Sequence, residues 1–151
     1  MGGSHDHRAV LGPFRFPRIT KPVAVAVVGL GYWGPNLLRV LIEWTDVEVR
    51  WVCDSDPSRL ERLTRRYPNV KTTEDLDDVL DDPGVDGVLL ATPVFTHYDL
   101  ARRCLEAGKH TFVEKPLASS SEGASELVDF STERVSQFRQ RGQRHVAALG
   151  F

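Results

Sequence analysis

The chain contains few cysteines, no long apolar run and almost no excess of one charge. Its two cysteines, Cys53 and Cys104, lack the spacing of metal ligands and predict no disulfide framework. No apolar stretch approaches the ~20 residues that span a bilayer, and the N-terminus lacks the apolar core of a secretory signal. A net charge of −2 gives no electrostatic reason to bind nucleic acid or an anionic membrane. We therefore expect a cytoplasmic protein that binds neither.

The 151 residues suffice for one domain with a hydrophobic core. Segment 1–21 carries glycine, proline, histidine and arginine without periodicity, which predicts a disordered leader. We interpret His5 and His7 in that segment as part of a polar tail rather than as a metal-binding pair. The domain itself is expected over 22–130. Segment 131–151 holds four arginines and three glutamines, which predicts a brief extension of the last helix or a disordered basic tail.

Within the predicted domain, short apolar runs alternate with amphipathic segments. Strands are predicted at 23–28, 47–52, 70–72, 87–92 and 110–114, and helices after Pro35, through 57–66, over 73–80, over 96–107 and from about 117 to 130. The run Val23–Val28 is apolar throughout, as in a central parallel strand that is covered on both faces. Strands that alternate with helices predict the α/β class, with a doubly wound, mostly parallel sheet in a single domain.

The turn after the first strand carries the main functional signal, because residues 29–34 have the pattern G-x-G-x-x-G. In that pattern Gly29 permits the tight turn, and Gly31 lets the backbone approach a pyrophosphate. Gly34 lets the helix and the strand pack closely. Backbone N–H groups and the N-terminus of the following helix would then face the phosphates. The alternative is a glycine-rich turn in an unrelated α/β protein.

Asp54 ends the second strand, about 20 residues after the glycine turn, where a carboxylate binds the adenosine ribose hydroxyls. Its charge would repel a 2′-phosphate, so we expect NAD as the cofactor rather than NADP. Arg59 lies near enough in the sequence to weaken that preference. Asp54 could instead cap a helix, but Asp56, which precedes Pro57, is the better placed cap.

Residues after two later strands are further candidates. Thr92 and Pro93 are expected to face the cofactor, because ligands of open α/β sheets bind outside the carboxyl ends of the strands. Thr92 could equally cap the next helix, and His97 could contact the cofactor or serve as a structural residue at the helix start. Lys115 could orient a substrate hydroxyl and assist its proton transfer, although its spacing alone favours a surface lysine.

Tyr32 and Trp33 lie inside the glycine turn and are also candidate cofactor contacts. Trp33 could shield the pyrophosphate. A simpler interpretation is that Trp33, Trp44 and Trp51 all pack in the core or between helices and sheet.

Four segments together resemble the Gfo/Idh/MocA family of oxidoreductases: GLGYWGPN (29–36), CDSDPSRL (53–60), ATPVFTH (91–97) and VEKPLA (113–118). The resemblance covers roughly residues 22–130, and the GYWGPN form resembles the branch that acts on sugars and nucleotide sugars. It implies a Rossmann domain that holds NAD(P). In the family, a larger α/β domain follows, with the substrate pocket and the oligomer interface.

The resemblance also implies roles for particular residues. Gly29, Gly31 and Gly34 would hold the pyrophosphate, and Asp54 would hold the adenosine ribose. Thr92, Pro93 and His97 would line the cofactor cleft. Glu114 and Lys115 would lie beside the nicotinamide ribose, with Lys115 as the catalytic lysine.

The end of the chain departs from the family pattern. Family members return to an apolar strand after the helix that we expect to end near Phe130, and segment 131–151 does not resemble that strand. We therefore expect a truncated or frame-shifted product with an exposed sheet edge. Two functions stay open: an NAD-dependent oxidoreductase of sugar-like polyols, and a catalytically silent dinucleotide-binding module. The expected partners are the dinucleotide, a sugar or nucleotide sugar, and further copies of the chain.

Overall fold

A parallel sheet of six strands forms the middle of the molecule. The computed structural model describes residues 20–140 and 149–150. The strands are β1 (Val23–Val28), β2 (Val47–Cys53), β3 (Lys71–Thr73), β4 (Gly87–Leu90), β5 (His110–Val113) and β6 (Leu149–Gly150). Their spatial order is β3-β2-β1-β4-β5-β6, and every neighbouring pair is parallel. The predicted α/β class with a doubly wound parallel sheet is confirmed, and the strand order is that of a Rossmann fold.

Helices cover both faces of the sheet. They are α1 (Gly34–Glu43), α2 (Pro57–Arg66), α3 (Leu76–Leu80), α4 (His97–Glu106) and α5 (Ser121–Gln140), with a 3₁₀ turn at Val94–Thr96. Alternate side chains of β1 point to opposite faces, so the strand contributes to two cores. Val25 and Val27 pack with α1 and α2, whereas Ala26 and Val28 pack with α3, α4 and α5. Among the helices that the structure describes, none combines the length and the apolar character needed to cross a membrane.

The predicted ends of α2 are confirmed, and the side-chain cap is the one expected. Asp56 stands at the N-cap, where its carboxylate accepts a hydrogen bond from the Ser58 N–H at 2.9 Å. Pro57 opens the helix, where a missing N–H costs nothing. This cap leaves the carboxylate of Asp54 available for other contacts.

Helix α5 continues beyond the predicted end near Phe130. It runs from Ser121 to Gln140, so the alternative in which segment 131–151 extends the last helix is observed over 131–140. Residues 124–140 contain neither glycine nor proline, and glutamate, arginine and glutamine are good helix formers. Leu127, 1% exposed, anchors the helix in the core shared by α3 and α4.

The expectation that no strand follows the last helix is wrong. β6 pairs in parallel with β5, where Thr111 faces Leu149 and Phe112 faces Gly150. The edge of β5 that was expected to be open is therefore covered over two residues. A strand this short leaves no periodic pattern from which it could be predicted. Residues 1–19, which make up nearly all of the predicted leader, lie outside the described residues. Residues 141–148 and 151 of the predicted tail also lie outside them.

Two of the three tryptophans are not core residues. Trp33 and Trp44 are 54% and 60% exposed, because they stand at the N-cap and the C-cap of α1. Trp51 is half-buried in β2 and donates its indole N–H to Asp82 at 2.8 Å. The interpretation as packing residues therefore holds only for Trp51.

Candidate functional site

A cleft of about 680 Å³ lies at the carboxyl ends of the central strands. It opens beside β1 and β4, where the order of the strands reverses and where open α/β sheets bind ligands. The turns after β1, β2 and β4 supply much of its lining, including Gly29, Gly31, Asp54, Ser55, Thr92 and Pro93. A cavity of about 560 Å³ borders Ile42, Arg50 and Tyr67 near the β2–β3 edge, but it has neither a glycine turn nor a helix N-terminus.

Gly29 and Gly34 are required by the close packing of the turn. Gly29 has φ +97°, and a Cβ there would lie 2.8 Å from the backbone of Ala91. A Cβ on Gly34 would lie 1.9 Å from the carbonyl oxygen of Gly29. No side chain fits at either position, so these glycines serve the fold of the turn directly.

Gly31 has different surroundings, because a Cβ there would meet no atom within 4 Å. Helix α1 begins at the same place without a side-chain cap. Among the described residues, the amides of Gly31, Tyr32 and Trp33 donate no hydrogen bond. Open space in front of unpaired N–H groups at the positive end of a ten-residue helix fits an anionic group such as a pyrophosphate.

Asp54 ties the end of β2 to the glycine turn. Its carboxylate accepts hydrogen bonds from the Leu30 N–H at 2.6 Å and from the Asp56 N–H at 2.8 Å. The residue is only 5% exposed, yet it borders the cleft. A carboxylate has about four acceptor positions, so capacity remains for ribose hydroxyls.

Arg59 places a positive charge beside this carboxylate. Its guanidinium lies 3.5 Å from Asp54 Oδ2 and 3.4 Å from Asp56 Oδ2. The side chain is 42% exposed and lines the same cleft. Any 2′-phosphate near Asp54 would therefore meet one negative and one positive group.

Thr92 and Pro93 line the cleft on the β4 side. The Thr92 hydroxyl accepts a hydrogen bond from the Thr96 hydroxyl at 2.7 Å. The alternative role of Thr92 as a helix cap is not observed, because the 3₁₀ turn separates it from α4, whose N-cap is Thr96.

His97 lies beneath the cleft and does not line it. The residue is 1% exposed and opens α4. Its Nδ1 lies 2.7 Å from the carbonyl oxygen of Pro116, and its Nε2 lies 2.7 Å from that of Thr92. The expectation that His97 lines the cleft is therefore not met, because its ring is enclosed between two loops.

Glu114 and Lys115 follow β5, next to the β4 side of the cleft. The Glu114 N–H donates to the Leu90 carbonyl at 2.9 Å, which continues the sheet by one bond. Lys115 is exposed and makes no hydrogen bond or ion pair with another described residue. Both residues lie at the expected end of the sheet, but neither belongs to the cleft lining.

The two aromatic residues of the turn face outwards. Tyr32 is 83% exposed, and its ring meets that of Trp33 edge-on with 5.0 Å between centroids. Neither side chain lines the cleft, although their backbone forms the turn beside it.

Several lining residues were missed by sequence reasoning. Phe95 is 74% exposed at the cleft, and Leu76, Leu100 and Arg103 complete the wall beyond Asp54. Phe95 lies within the ATPVFTH segment, whose other residues were already candidates for the cleft, so the sequence offered a signal for it. The other three come from α3 and α4, and their approach depends on helix packing that no local pattern reveals.

Cys53 also borders the cleft. Burial, together with the negative charge of Asp54, raises the pKa of its thiol to about 11. The thiol therefore stays protonated near neutral pH and is a poor nucleophile.

Comparisons with known proteins agree with this geometry. Residues 23–139 match the family model for the Gfo/Idh/MocA oxidoreductases with an NAD-binding Rossmann fold. Over 112 residues the chain is 42% identical to scyllo-inositol 2-dehydrogenase (NAD(+)) of Bacillus subtilis, covering 70% of the chain and 32% of that relative.

Two solved structures share the fold. GenD2 from gentamicin A biosynthesis, solved in complex with NAD, has a TM-score of 0.73 and 34% identity over 90% of this chain and 36% of its own. KijD10, a 3-ketoreductase from Actinomadura kijaniata solved with NADP and TDP-benzene, has a TM-score of 0.70 and 29% identity over 76% of this chain and 35% of its own. This chain thus spans about a third of the length of these relatives.

The glycine turn, the carboxylate after β2, the strand order and the family match all agree. The chain belongs to the Gfo/Idh/MocA oxidoreductase family, of which it forms an NAD(P)-binding Rossmann domain.

Proposed function

We propose that the chain prefers NAD to NADP and serves the oxidation or reduction of a cyclic polyol, sugar or nucleotide sugar. The observation that supports this most strongly is the uncapped N-terminus of α1, with open space at Gly31 and with Asp54 in the same cleft. Relatives named for scyllo-inositol and for a 3-ketoreductase solved with a TDP derivative support the substrate class.

Two parts of the cofactor, the pyrophosphate and the adenosine ribose, have matching groups in the cleft. The amides of Gly31, Tyr32 and Trp33 donate to no other described residue, and they suit the pyrophosphate because they are donors at a positive helix end. Asp54 suits the adenosine ribose hydroxyls, and its charge disfavours a 2′-phosphate. Arg59 offsets part of that charge, so the preference for NAD is modest.

In the proposed reaction a hydride passes between the carbinol carbon and the nicotinamide, and a proton is exchanged at the oxygen on that carbon. The nicotinamide ring would supply the hydride acceptor or donor. Lys115 is proposed to hydrogen-bond the reacting hydroxyl and assist the transfer of its proton. Its exposed position after β5, without an ion-pair partner among the described residues, leaves it available for that role.

Calorimetric titration with NADH and, separately, NADPH tests the cofactor proposal. We expect saturable binding of both, with NADH bound more tightly. No binding of either by a chain that circular dichroism shows to be folded would refute it. Equal or tighter binding of NADPH would refute the preference alone.

The catalytic part needs a separate assay. NAD reduction is followed with scyllo-inositol and with a UDP- or TDP-sugar, and we expect Lys115→Met to lower turnover by about 10²–10⁴-fold. A catalytically silent dinucleotide-binding module is the second candidate, because the cleft lining includes Gly29, Gly31 and Asp54 but not Lys115. Cofactor binding without turnover would favour that module.

A further inference from the structure

His97 connects the loop that follows β4 with the loop that follows β5. We propose that it is a positioning residue, which fixes Lys115 and Thr92 relative to each other and so shapes the nicotinamide side of the site without touching the cofactor. The proposal rests on the proposed function for its effect on ligands, but its structural part stands alone.

The strand pairing between β4 and β5 ends just before these two loops begin. Leu90 and Val113 are the last paired residues of β4 and β5. The Glu114 N–H then donates to Leu90, whereas the next amide of the β4 chain, that of Ala91, donates to Val28 of β1 at 2.8 Å. Beyond the bond from Glu114 to Leu90, no backbone hydrogen bond joins these two loops among the described residues.

Beyond the end of the β4–β5 pairing, His97 connects the two loops. Its Nδ1 and Nε2 lie 2.7 Å from the carbonyl oxygens of Pro116 and Thr92. Among the described residues, no other hydrogen bond joins 91–97 to 115–118. At 1% exposure the ring has little competing water, so loss of the side chain would leave two carbonyl groups without this partner.

The contacts of His97 matter because no other described residue fixes the position of the Lys115 side chain. Its side chain makes no hydrogen bond or ion pair with another described residue. The reach of its ammonium group is therefore set by its backbone, which continues directly into Pro116. On the other loop, Thr92 borders the cleft, and its own carbonyl is the second partner of His97.

Two substitutions separate this role from general stability. His97→Leu removes both ring nitrogens and with them both contacts, whereas His97→Asn keeps an amide that can donate to a carbonyl. Thr111→Val is the matched control, because Thr111 is 3% exposed and donates to the Lys109 carbonyl at the opposite end of β5.

The first measurement is amide hydrogen exchange without any ligand. In His97→Leu we expect faster exchange at 92–96 and 114–118, with residues 25–28 of β1 unchanged, and a smaller effect in His97→Asn. Exchange in both loops that matches the wild-type chain would overturn the proposal, as would an equal change with Thr111→Val. If His97→Leu does not fold, the same comparison is decided by His97→Asn.

The second measurement compares two ligands, NADH and ADP, the latter lacking the nicotinamide half. We expect His97→Leu to weaken NADH binding by about tenfold, which corresponds to about 1.4 kcal/mol, and to leave ADP binding within about twofold. A merely structural loss would weaken both ligands alike and would refute a positioning role. A wild-type chain that binds neither ligand would refute the proposed function, while the exchange result would still decide the link made by His97.

Discussion

At the scale of single residues, the glycines of the first turn are needed for different reasons. A Cβ on Gly34 would collide with the backbone of Gly29, whereas a Cβ on Gly31 would enter open space. We therefore predict that Gly31→Ala leaves the free energy of unfolding within about 0.5 kcal/mol of wild type but weakens NADH binding at least about tenfold.

Gly34→Ala is the contrasting variant, and it is expected to destabilise the fold itself. Urea denaturation and calorimetry together distinguish the two positions. An unchanged NADH affinity in Gly31→Ala would show that no ligand approaches the backbone there.

We predict that Arg59 limits how strongly the cleft discriminates between NADH and NADPH. Among the described residues Arg59 is the cation paired with Asp54, so its loss removes the positive charge that offsets this carboxylate near a 2′-phosphate. We predict that Arg59→Gln raises the ratio of NADH to NADPH affinity by about 3–10-fold, a modest factor because the side chain is partly exposed.

Arg65→Gln, in the same helix and paired with Glu61, is the control and should leave the ratio unchanged. A lower ratio in Arg59→Gln would contradict the account. Asp54→Ala is a less specific test, because the carboxylate also holds the Leu30 and Asp56 amides.

Asp82 stabilises the end of the sheet opposite the cleft. Hydrogen bonds from Arg50 and Trp51, both 2.8 Å long, hold the pKa of its carboxyl well below the ordinary value. Because the folded-state pKa is the lower one, the stabilisation is present above about pH 4 and is lost as the pH falls.

We predict that Asp82→Asn costs about 1–3 kcal/mol of unfolding free energy at pH 7 and much less at pH 2. Urea denaturation at both pH values checks this. The exposed neighbour substitution Asp81→Asn serves as the control. A cost that is equal at both pH values would exclude the charge as its source.

At the scale of helices and strands, Leu127 is the most deeply buried of the α5 side chains that the structure describes. Leu127 is 1% exposed, whereas the adjacent Val128 is 40% exposed. We predict that Leu127→Ala costs about 2–5 kcal/mol of unfolding free energy and that Val128→Ala costs less than about 0.5 kcal/mol. Similar costs in urea denaturation would mean that α5 does not pack as described.

A helix or strand can be predicted when the local sequence marks its ends and its period. Both ends of α2 are predictable, because Asp56, Pro57 and the spacing of Leu60 and Leu63 all agree. The sequence leaves the end of α5 open between a brief extension and a tail, and it does not predict β6, because neither has a cap or a period that marks it. β6 in particular is defined by its pairing with β5, which is a tertiary contact.

At the scale of the whole molecule, the strand order brings the candidate binding residues together at one end of the sheet. The glycine turn, Asp54 and Thr92 come from three turns that share the cleft because β2, β1 and β4 are neighbours. Their convergence could be predicted, since parallel strands align their carboxyl ends. The burial of His97 could not, because it depends on the loop after β5, far away in the sequence.

We propose that a nicotinamide dinucleotide binds at the carboxyl ends of β1, β2 and β4. A ¹H–¹⁵N NMR titration of the chain with NADH locates the binding site residue by residue. We predict that the largest shifts fall on the amides of 30–34, 54–56 and 92–96, and that they saturate together. Shifts that instead concentrate around Ile42, Arg50 and Tyr67 at the other cavity, or that are absent throughout, would contradict the account.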